Sequence, residues 1–358
     1  MANTFGQKLK VTVFGQSHSE CIGVVIDNLP AGMLIDMEKV KGFMDRRAPG
    51  QNELSTARRE EDIPKIISGL NENGVTCGAP LCAVIENRDA RSSDYDKLKD
   101  VPRPGHSDYA AYVKFNGNND IRGGGQFSGR MTAPLCFAGA VCIQLLESRN
   151  ISIASHLLSV GGVRDDELDA ASPCLEAVKI KDKAFPTISD EAGQRMADEI
   201  LKAKNEGDSI GGIIEACVLN LPAGLGDPMF DGIENRISSA VFAIPAVKGI
   251  EFGAGFSASL MKGSEHNDEF FVDKNVKILT KTNNHGGILG GITTGMPLVV
   301  RAAVKPTPSI ALEQKSVSLS GLEGRSLSII GRHDPCIALR ALPCVEAALA
   351  IVFADLII

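Results

Sequence analysis

Two long segments of this 358-residue chain are apolar on almost every side of a helix. Residues 132–149 carry charge only near their end, and residues 343–358 contain only Glu346 and Asp355 as charged side chains. A helix that is hydrophobic all round is a buried helix. The first segment is therefore predicted to form a central helix that is covered on most sides, and the second needs either the core or a partner subunit to cover it.

The composition favours a reduced cytoplasmic protein. The longest apolar stretch, residues 131–146, is interrupted by Pro134 and Gln144 and is shorter than the ~20 residues that span a bilayer. The N-terminus lacks the apolar core of a signal peptide. None of the nine cysteines forms a Cys-x-x-Cys pair, and no set of His, Cys and Asp has zinc spacing. We expect no membrane span, no disulfide scaffold and no metal site.

The net charge of −7 argues against nucleic acid as a partner. The arginines nevertheless crowd into the Gly- and Pro-rich segments. This arrangement suits a small and highly charged anion, and the alternative is a set of surface arginines in local ion pairs. The arginines concerned are Arg46, Arg47, Arg58, Arg59, Arg103, Arg122, Arg130, Arg332 and Arg340.

One sequence is repeated. Residues 23–32 and 215–224 both run from a predicted strand into Asn-Leu-Pro-Ala-Gly. This predicts a duplicated strand–turn–helix unit, within a single domain of residues 1–358 whose related halves are roughly 8–150 and 205–358. Chance similarity of a common turn is the alternative. Further strands are predicted at residues 8–14, 21–26, 213–219, 249–257 and 297–304, and helices at 37–47 and 188–204.

Three loops far apart in sequence carry titratable or cationic side chains between glycines and prolines: residues 15–19, 122–130 and 331–336. We expect them to form one composite site, because sites are commonly built from loops on a rigid scaffold. His18 lies in the first loop, and His106 lies in a tight turn beside Arg103. Imidazoles titrate near neutrality and serve as proton donors, although an isolated histidine is more often structural.

The glycine loop at residues 122–130 directly precedes the buried helix. Its glycines would let backbone N–H groups approach an anion or a cofactor, and a simple flexible turn is the alternative. Lys305-Pro-Thr-Pro-Ser309 is a second candidate anion contact. Asp334 stands beside two basic residues and before a proline, so it is either a turn-former in an ion pair or a poised base.

The chain clearly resembles the chorismate synthase family along its whole length. The resemblance is carried by many ordered blocks. They are Phe14-Gly-Gln-Ser-His18, Asp45-Arg-Arg-Ala-Pro-Gly50, Arg103-Pro-Gly-His-Ser-Asp-Tyr109, Arg122-Gly-Gly-Gly125, Gly207-Asp-Ser-Ile-Gly211, Leu221-Pro-Ala-Gly-Leu-Gly226, Asn284-His-Gly-Gly-Ile-Leu-Gly-Gly291, Lys305-Pro-Thr-Pro-Ser309 and Gly331-Arg-His-Asp-Pro335.

The resemblance implies an α+β fold, a β-α-β sandwich in which two antiparallel sheets enclose a helical layer, and a homotetramer. It implies an anti-1,4-elimination of phosphate from 5-enolpyruvylshikimate 3-phosphate, which gives chorismate in the last step of the shikimate pathway. The reaction needs reduced FMN without net redox change, and NADPH is a possible flavin reductant. The alternatives are an NAD(P)H-dependent flavin reductase and a non-catalytic paralogue that binds flavin or phosphate.

The resemblance also implies residue roles. His18 matches the proton donor to the leaving phosphate, His106 matches the donor to reduced flavin, and Asp334 matches the base. Arg47 matches an NADP contact, and Arg46 and Arg130 are added as cations for substrate or NADP. The implied flavin contacts are Gln126, Phe127, Ser128, Pro245, Ala246, Gly286, Lys305, Pro306, Thr307, Pro308, Ser309 and Arg332.

The chain departs from the family pattern at several positions. Gln16 and Ser19 flank the Ser-His pair where the family commonly has Glu and Gly. Gln126 follows the glycines where the family has an arginine, and loss of one charged hydrogen bond there is worth ~1.5–3 kcal/mol. Pro245 replaces a common asparagine and Glu53 a common arginine. These departures bear on the flavin and NADP contacts more than on the elimination.

Overall fold

The computed structural model describes residues 3–50, 54–56, 60–87, 99–172, 180, 183–329 and 333–358. Its strands are Thr4–Phe5 (β1), Lys10–Gly15 (β2), Cys21–Asp27 (β3), Lys65–Ser68 (β4), Leu81–Glu86 (β5), Ser152–Val160 (β6), Val163–Arg164 (β7), Gly212–Leu219 (β8), Val247–Phe252 (β9), Phe270–Val272 (β10), Ile278–Thr280 (β11), Ile288–Leu289 (β12), Ile292–Thr293 (β13), Leu298–Val304 (β14), Gln314–Ser318 (β15) and Glu323–Leu327 (β16). Its α-helices are Met37–Arg47 (α1), Asp108–Lys114 (α2), Thr132–Glu147 (α3), Asp190–Asn205 (α4), Ile233–Phe242 (α5), Gly263–His266 (α6) and Ala338–Ile357 (α7).

Two five-stranded antiparallel sheets enclose a layer of helices. The first sheet has the order β1-β2-β3-β5-β4 and the second has the order β7-β6-β8-β14-β9. Helix α3 packs against β2, β3 and β5, whereas α7 packs against β6, β8 and β14. The two helices also pack against each other, so each sheet buries one face on the helical layer. The predicted α+β sandwich is confirmed.

Both apolar segments lie in this layer. The segment Gly129–Glu147, which includes α3, is long and apolar enough to cross a membrane, but 72% of it is buried within the fold. It is therefore the core helix that the sequence predicts. Helix α7 is covered by the chain's own core, and its charges are satisfied there. Asp355 accepts hydrogen bonds from the backbone N–H groups of Lys8 and Leu9 at 2.7 Å each.

The boundaries of two elements differ from the prediction by more than two residues. Helix α7 begins at Ala338, five residues before the expected start at residue 343, and it contains Pro343 in its interior. Strand β9 ends at Phe252, whereas the predicted strand runs to residue 257. The chain turns there because Gly253 has a φ of 54°, and a Cβ on it would lie 2.2 Å from a backbone oxygen. Helix α1 has the predicted bounds, and the N-cap of α4 is Ser189.

The two copies of Asn-Leu-Pro-Ala-Gly have the same backbone conformation. Asn28 and Asn220 have φ values of 67° and 63°, and the terminal glycines of the repeat, Gly32 and Gly224, have values of 90° and 95°. These left-handed values favour Asn and Gly over other residues. Both copies are therefore the same tight turn, which follows β3 in one sheet and β8 in the other.

A threonine holds each copy of the turn in the same way. The Thr76 hydroxyl donates to the carbonyl of Pro30 at 2.7 Å, and the Thr293 hydroxyl donates to the carbonyl of Pro222 at 2.7 Å. The same threonines accept from the backbone N–H groups of residues 33 and 225, each at 2.9 Å. The likeness of the two units therefore extends to contacts between segments that are distant in sequence.

The strand registers repeat as well. Ile26 of β3 lies opposite Leu81 of β5, and Val218 of β8 lies opposite Leu298 of β14. Each of these central residues stands two positions before the asparagine of its turn. On the other side of these two strands, Val11 of β2 lies opposite Ile26, and Ile153 of β6 lies opposite Val218. The duplication stays a prediction, and this register favours a second half that begins at β6 rather than near residue 205.

Candidate active site

A cavity of about 770 Å³ lies where the predicted loops meet. His18 comes from the loop after β2, His106 from the turn before α2, and Asp334 from the segment before α7. All three line the cavity, although they are separated by tens to hundreds of residues in the chain. Its size is within the range of ligand cavities, about 300–1,000 Å³. The structure thus brings the predicted acid–base groups to one place.

The glycine loop forms the wall between the two histidines. Gly123, Gly124 and Gly125 have φ values of 59°, 83° and 55°. A Cβ on Gly123 would lie 2.4 Å from the His18 ring, and a Cβ on Gly124 would lie 3.2 Å from the His106 ring. The glycines are therefore required here by the close approach of both imidazoles, in addition to the left-handed backbone.

His106 is fixed by a carboxylate and a guanidinium. Its Nδ1 lies 2.5 Å from Asp108 Oδ1, and Arg103 Nη2 lies 3.1 Å from Nδ1 and 3.3 Å from Nε2. Arg103 also donates to Asp108 through Nε at 2.7 Å and Nη2 at 2.8 Å. Burial acts to raise the pKa of Asp108, but the hydrogen bonds from Arg103 and His106 outweigh it and hold the pKa well below its usual range. The imidazole is thus oriented by an anionic partner, as in a general acid or base.

Asp334 lies at the opposite end of the chain and is 8% exposed. Its Oδ1 accepts from the backbone N–H of Thr56 at 3.0 Å, and its Oδ2 accepts from Arg340 Nη1. Burial lowers the pKa of Arg340, and the Asp334 carboxylate opposes that effect. The carboxyl group is therefore held in a fixed orientation at the cavity wall.

His333 is a cavity residue that the sequence analysis did not single out. Burial lowers the pKa of His333, and the nearby Arg103 guanidinium adds to the effect. The ring therefore favours its neutral form. Its Nε2 is buried and has no hydrogen-bond partner among the described residues. The only local signal for it was its position beside Asp334 in the Gly-Arg-His-Asp-Pro block.

Two of the three predicted binding arginines line the cavity, but each is already engaged. Arg47 and Arg130 both form ion pairs with Asp62, and Arg130 also lies 2.8 Å from Glu60. Arg47 Nε donates to the Thr132 hydroxyl at 3.0 Å. As whole residues, Arg47 is 3% exposed and Arg130 is 5% exposed. They are part of a buried charge network beneath the cavity, because each must be compensated where water is excluded.

Arg46 does not line the cavity. It makes a bidentate pair with Glu346 of α7, at 2.6 and 2.8 Å. Gly286 does not line the cavity either. Its backbone packs against Gly253, and a Cβ on Gly286 would lie 2.4 Å from the backbone nitrogen of Gly253. The structure therefore does not bring these two predicted residues to the site.

Most of the predicted flavin contacts do line the cavity. They are Gln126, Phe127, Ser128, Pro245, Ala246, Lys305, Thr307, Pro308 and Ser309. Pro306 stands in the same turn but is not part of the lining. Arg332 lies outside the described residues, as do Arg58, Arg59 and Glu53.

Lys305 supplies a cation at the cavity wall. Its ammonium donates to the carbonyl of Gly105. Burial lowers the pKa of Lys305, and the charge of Lys248, which also lines the cavity, lowers it further. Two neighbouring cations with partial burial are suited to an anionic ligand, which would relieve their repulsion. Nothing in the local sequence around Lys248 indicated this role.

This chain is similar to known proteins along nearly its whole length. The family model for chorismate synthase matches residues 9–358. Chorismate synthase of Korarchaeum cryptofilum is 46% identical over 98% of this chain and 96% of its own length, and that of Thermococcus gammatolerans is 47% identical over the same shares. A solved structure described as the crystal structure of chorismate synthase superposes with a TM-score of 0.77 and 28% identity, over 98% of this chain and 92% of that chain. Given this agreement along the whole length, the chain belongs to the chorismate synthase family.

Proposed function

We propose that the cavity catalyses the anti-1,4-elimination of phosphate from 5-enolpyruvylshikimate 3-phosphate, which gives chorismate, with reduced FMN and without net redox change. One observation carries the proposal: His18, His106 and Asp334 come from three distant segments and line a single cavity. Family membership makes the chain an enzyme of the lyase kind in aromatic biosynthesis, with a small-molecule substrate. The side chains that line the cavity support the particular reaction proposed here.

The cavity wall fits a flavin together with an anionic substrate. Phe127, Pro245 and Ala246 provide apolar surface, whereas Lys248 and Lys305 provide positive charge. Among the described residues, the buried Thr307 hydroxyl and the His333 Nε2 atom have no hydrogen-bond partner. Buried polar atoms are nearly always paired, so both are suited to a polar ligand. The chemistry that reduced FMN supplies when bound is a transient donation of electron density as phosphate leaves.

The protein's own residues hold and move protons. His18 is proposed to donate a proton to the leaving phosphate. His106 is proposed to act beside the flavin, and its ring is oriented by Asp108 at 2.5 Å. Asp334 is proposed to accept the proton from the substrate ring, while Arg340 and the Thr56 N–H hold its carboxylate in place. Neighbouring cations stabilise the negative charge that develops on the leaving group.

Three finer parts of the proposal rest on the resemblance. NADPH as flavin reductant stays a prediction, and the guanidinium of Arg47, proposed to contact it, is already bonded to Asp62 and Thr132. A homotetramer and a cytoplasmic location also stay predictions.

The decisive experiment is anaerobic phosphate release from 5-enolpyruvylshikimate 3-phosphate, with chemically reduced FMN and without NADPH. We expect chorismate and phosphate in equal amounts and no flavin oxidation. Release that requires NADPH, or flavin oxidation in proportion to product, would contradict a redox-neutral elimination.

Matched histidine variants connect the activity with the cavity. We expect His18→Asn and His106→Asn to lose turnover. His266→Asn serves as control, because His266 does not line the cavity and stacks edge-on against His285 at 4.5 Å instead. Equal losses in all three variants would point to a general effect on folding and not to the cavity.

A further inference from the structure

Two cysteines from the central helices meet beside the cavity. Cys136 of α3 and Cys344 of α7 have their Sγ atoms 3.7 Å apart. We propose that Cys344 is a hydroperoxide-reactive thiol in the cavity wall, and that Cys136 resolves its oxidised form as a disulfide between α3 and α7. This inference does not depend on which reaction the cavity catalyses.

The close approach of α3 and α7 sets the distance between the thiols. A Cβ on Gly139 would lie 2.4 Å from the Cα of Ala347, so the two helices touch backbone to backbone at this point. Cys136 and Cys344 each stand three residues before these positions, which is one helical turn. A disulfide requires about 2.05 Å between the sulfurs. Rotation about the Cα–Cβ bond of either cysteine is the motion that would close the gap.

Access distinguishes the two thiols. Cys344 lines the cavity, whereas Cys136 does not and is 0% exposed. A small oxidant that enters the cavity therefore meets Cys344 first. Cys136 is reached only by the sulfur of its neighbour, which suits the second and resolving step.

The groups around Cys344 lower its pKa on balance, and its thiol also donates to the Arg340 carbonyl at 3.4 Å. The Cys136 thiol donates a hydrogen bond to the Cys344 sulfur, and this bond lowers the pKa of Cys344; burial opposes the effect, while the charges of Arg47 and Arg340 add to it. Other buried thiols show the opposite behaviour. Burial raises the pKa of Cys217 to about 12 and that of Cys336 to about 11. Because the thiolate is the nucleophile, Cys344 is the reactive member of the buried cysteines in the described part of the chain.

The chemistry proceeds in two balanced steps. The Cys344 thiolate attacks the terminal oxygen of a hydroperoxide, the O–O bond breaks, and the alkoxide or hydroxide that leaves takes up a proton. Cys344 is then a sulfenic acid. The Cys136 sulfur next attacks Cys344 Sγ, the S–O bond breaks, and water leaves with the proton from Cys136. The two thiols lose two electrons in total, and the peroxide is reduced by two.

The test treats the reduced full-length protein with a small molar excess of hydrogen peroxide. The protein is then denatured, alkylated with N-ethylmaleimide and mapped without reduction by mass spectrometry. We expect a crosslinked peptide pair that contains Cys136 and Cys344, which dithiothreitol removes. We also expect Cys344 to be consumed at least about tenfold faster than Cys336, since one unit of thiol pKa changes the thiolate fraction tenfold. The proposal would be overturned if peroxide oxidised other cysteines while Cys344 was recovered as the alkylated, unoxidised thiol.

Variants separate the two roles. With Cys136→Ser, dimedone should trap Cys344 as a sulfenic acid. With Cys344→Ser, Cys136 should remain reduced, and the matched control Cys336→Ser should form the crosslink at the rate of the unaltered chain. Oxidation of Cys136 in the Cys344→Ser protein would overturn the assignment of the first step. The map of the unaltered chain does not depend on the folding of any variant.

Discussion

Two histidines of this molecule lie in clusters of carboxylates and arginines, and they differ in what the second ring nitrogen faces. His156 of β6 is 0% exposed, with Nδ1 3.2 Å from Asp165 and Nε2 2.9 Å from Glu215. Burial alone would lower the pKa of His156, but the two carboxylates outweigh it and raise the pKa. Arg301 Nε adds a second cation 2.8 Å from Glu215. Both ring nitrogens of His156 are committed to carboxylates, an arrangement that favours the protonated imidazole and leaves no nitrogen for a ligand.

His106 has a carboxylate on one side only. Its Nδ1 faces Asp108, while its Nε2 borders Gly124 at the cavity wall with the guanidinium of Arg103 beside it. The side chain is 16% exposed. A ligand in the cavity can therefore reach the ring of His106, whereas none can reach that of His156. The comparison teaches that the placement of the second ring nitrogen, and not the presence of acidic and basic neighbours, distinguishes a site from a structural cluster.

The largest effect is expected for His106→Asn. Loss of a general acid or base lowers turnover by ~10²–10⁴-fold. The free energy of unfolding should fall by no more than about 1.5–3 kcal/mol, because Arg103 still donates two hydrogen bonds to the Asp108 carboxylate. The measurements are anaerobic phosphate release and urea denaturation. A decrease of less than about tenfold would remove His106 from the catalytic groups and make its cluster as structural as that of His156.

The opposite result is expected for His156→Gln. Removal of one partner from a buried ion pair leaves uncompensated charge, so the free energy of unfolding should fall by about 3–5 kcal/mol. Turnover at low temperature should stay within about twofold, because His156 does not line the cavity. Urea denaturation of His156→Gln, Glu215→Gln and the double variant provides the check. The two losses should add to more than the loss in the double variant, since the groups interact directly.

The two clusters also show what a sequence can reveal. Arg103, His106 and Asp108 lie within one six-residue turn, so the local pattern of Gly and Pro around a histidine was sufficient to select it. The partners of His156 are set by strand register, since His156 lies opposite Glu215 and Glu215 lies opposite Arg301. Without the strand pairing, no local signal connects these three residues. His156 was accordingly not singled out.

The same reasoning explains the other differences. The three loops were recognised from glycines and titratable side chains, and each of them contributes residues to one cavity. The engagement of Arg47 and Arg130 by Asp62 could not be predicted, because Asp62 belongs to a separate segment. Helix α7 was expected to begin at residue 343 because the apolar run was taken to begin there. The helix begins at Ala338 instead, and its first turns also pack in the core.

A smaller effect is expected from Gly124→Ala. The new Cβ would lie 3.2 Å from the His106 ring, and Gly124 has a φ of 83°, which costs a non-glycine residue roughly 1–2 kcal/mol. We expect turnover to decrease by about tenfold through displacement of the ring. Gly117→Ala is the matched control outside the cavity lining, since Gly117 has a φ of 74° and a Cβ there would lie 3.2 Å from the Tyr112 ring. Steady-state rates of the two variants decide, and equal rates would show that the loop does not position His106.

The smallest effect is a pH dependence of stability that belongs to the His156 cluster alone. The pKa of His156 is raised from 6.5 on folding, so its contribution is complete below pH 6.5 and is lost as the pH rises through the folded value. The pKa values of Asp165 and Glu215 are lowered from 3.8 and 4.5, because the hydrogen bonds from His156 outweigh burial. Their contributions are complete above those values and are lost as the pH falls through the folded ones.

The stability difference between the unaltered chain and His156→Gln should therefore be largest between pH 4.5 and 6.5 and should decrease at higher pH. Each unit by which the folded pKa of His156 exceeds 6.5 corresponds to about 1.4 kcal/mol. Urea denaturation at about pH 5.5, about 7 and about 8.5 measures this change. A difference that grows with pH would mean that His156 is neutral in the folded chain. One of its two carboxylates would then face a nitrogen without a proton, and the contrast with His106 would not hold.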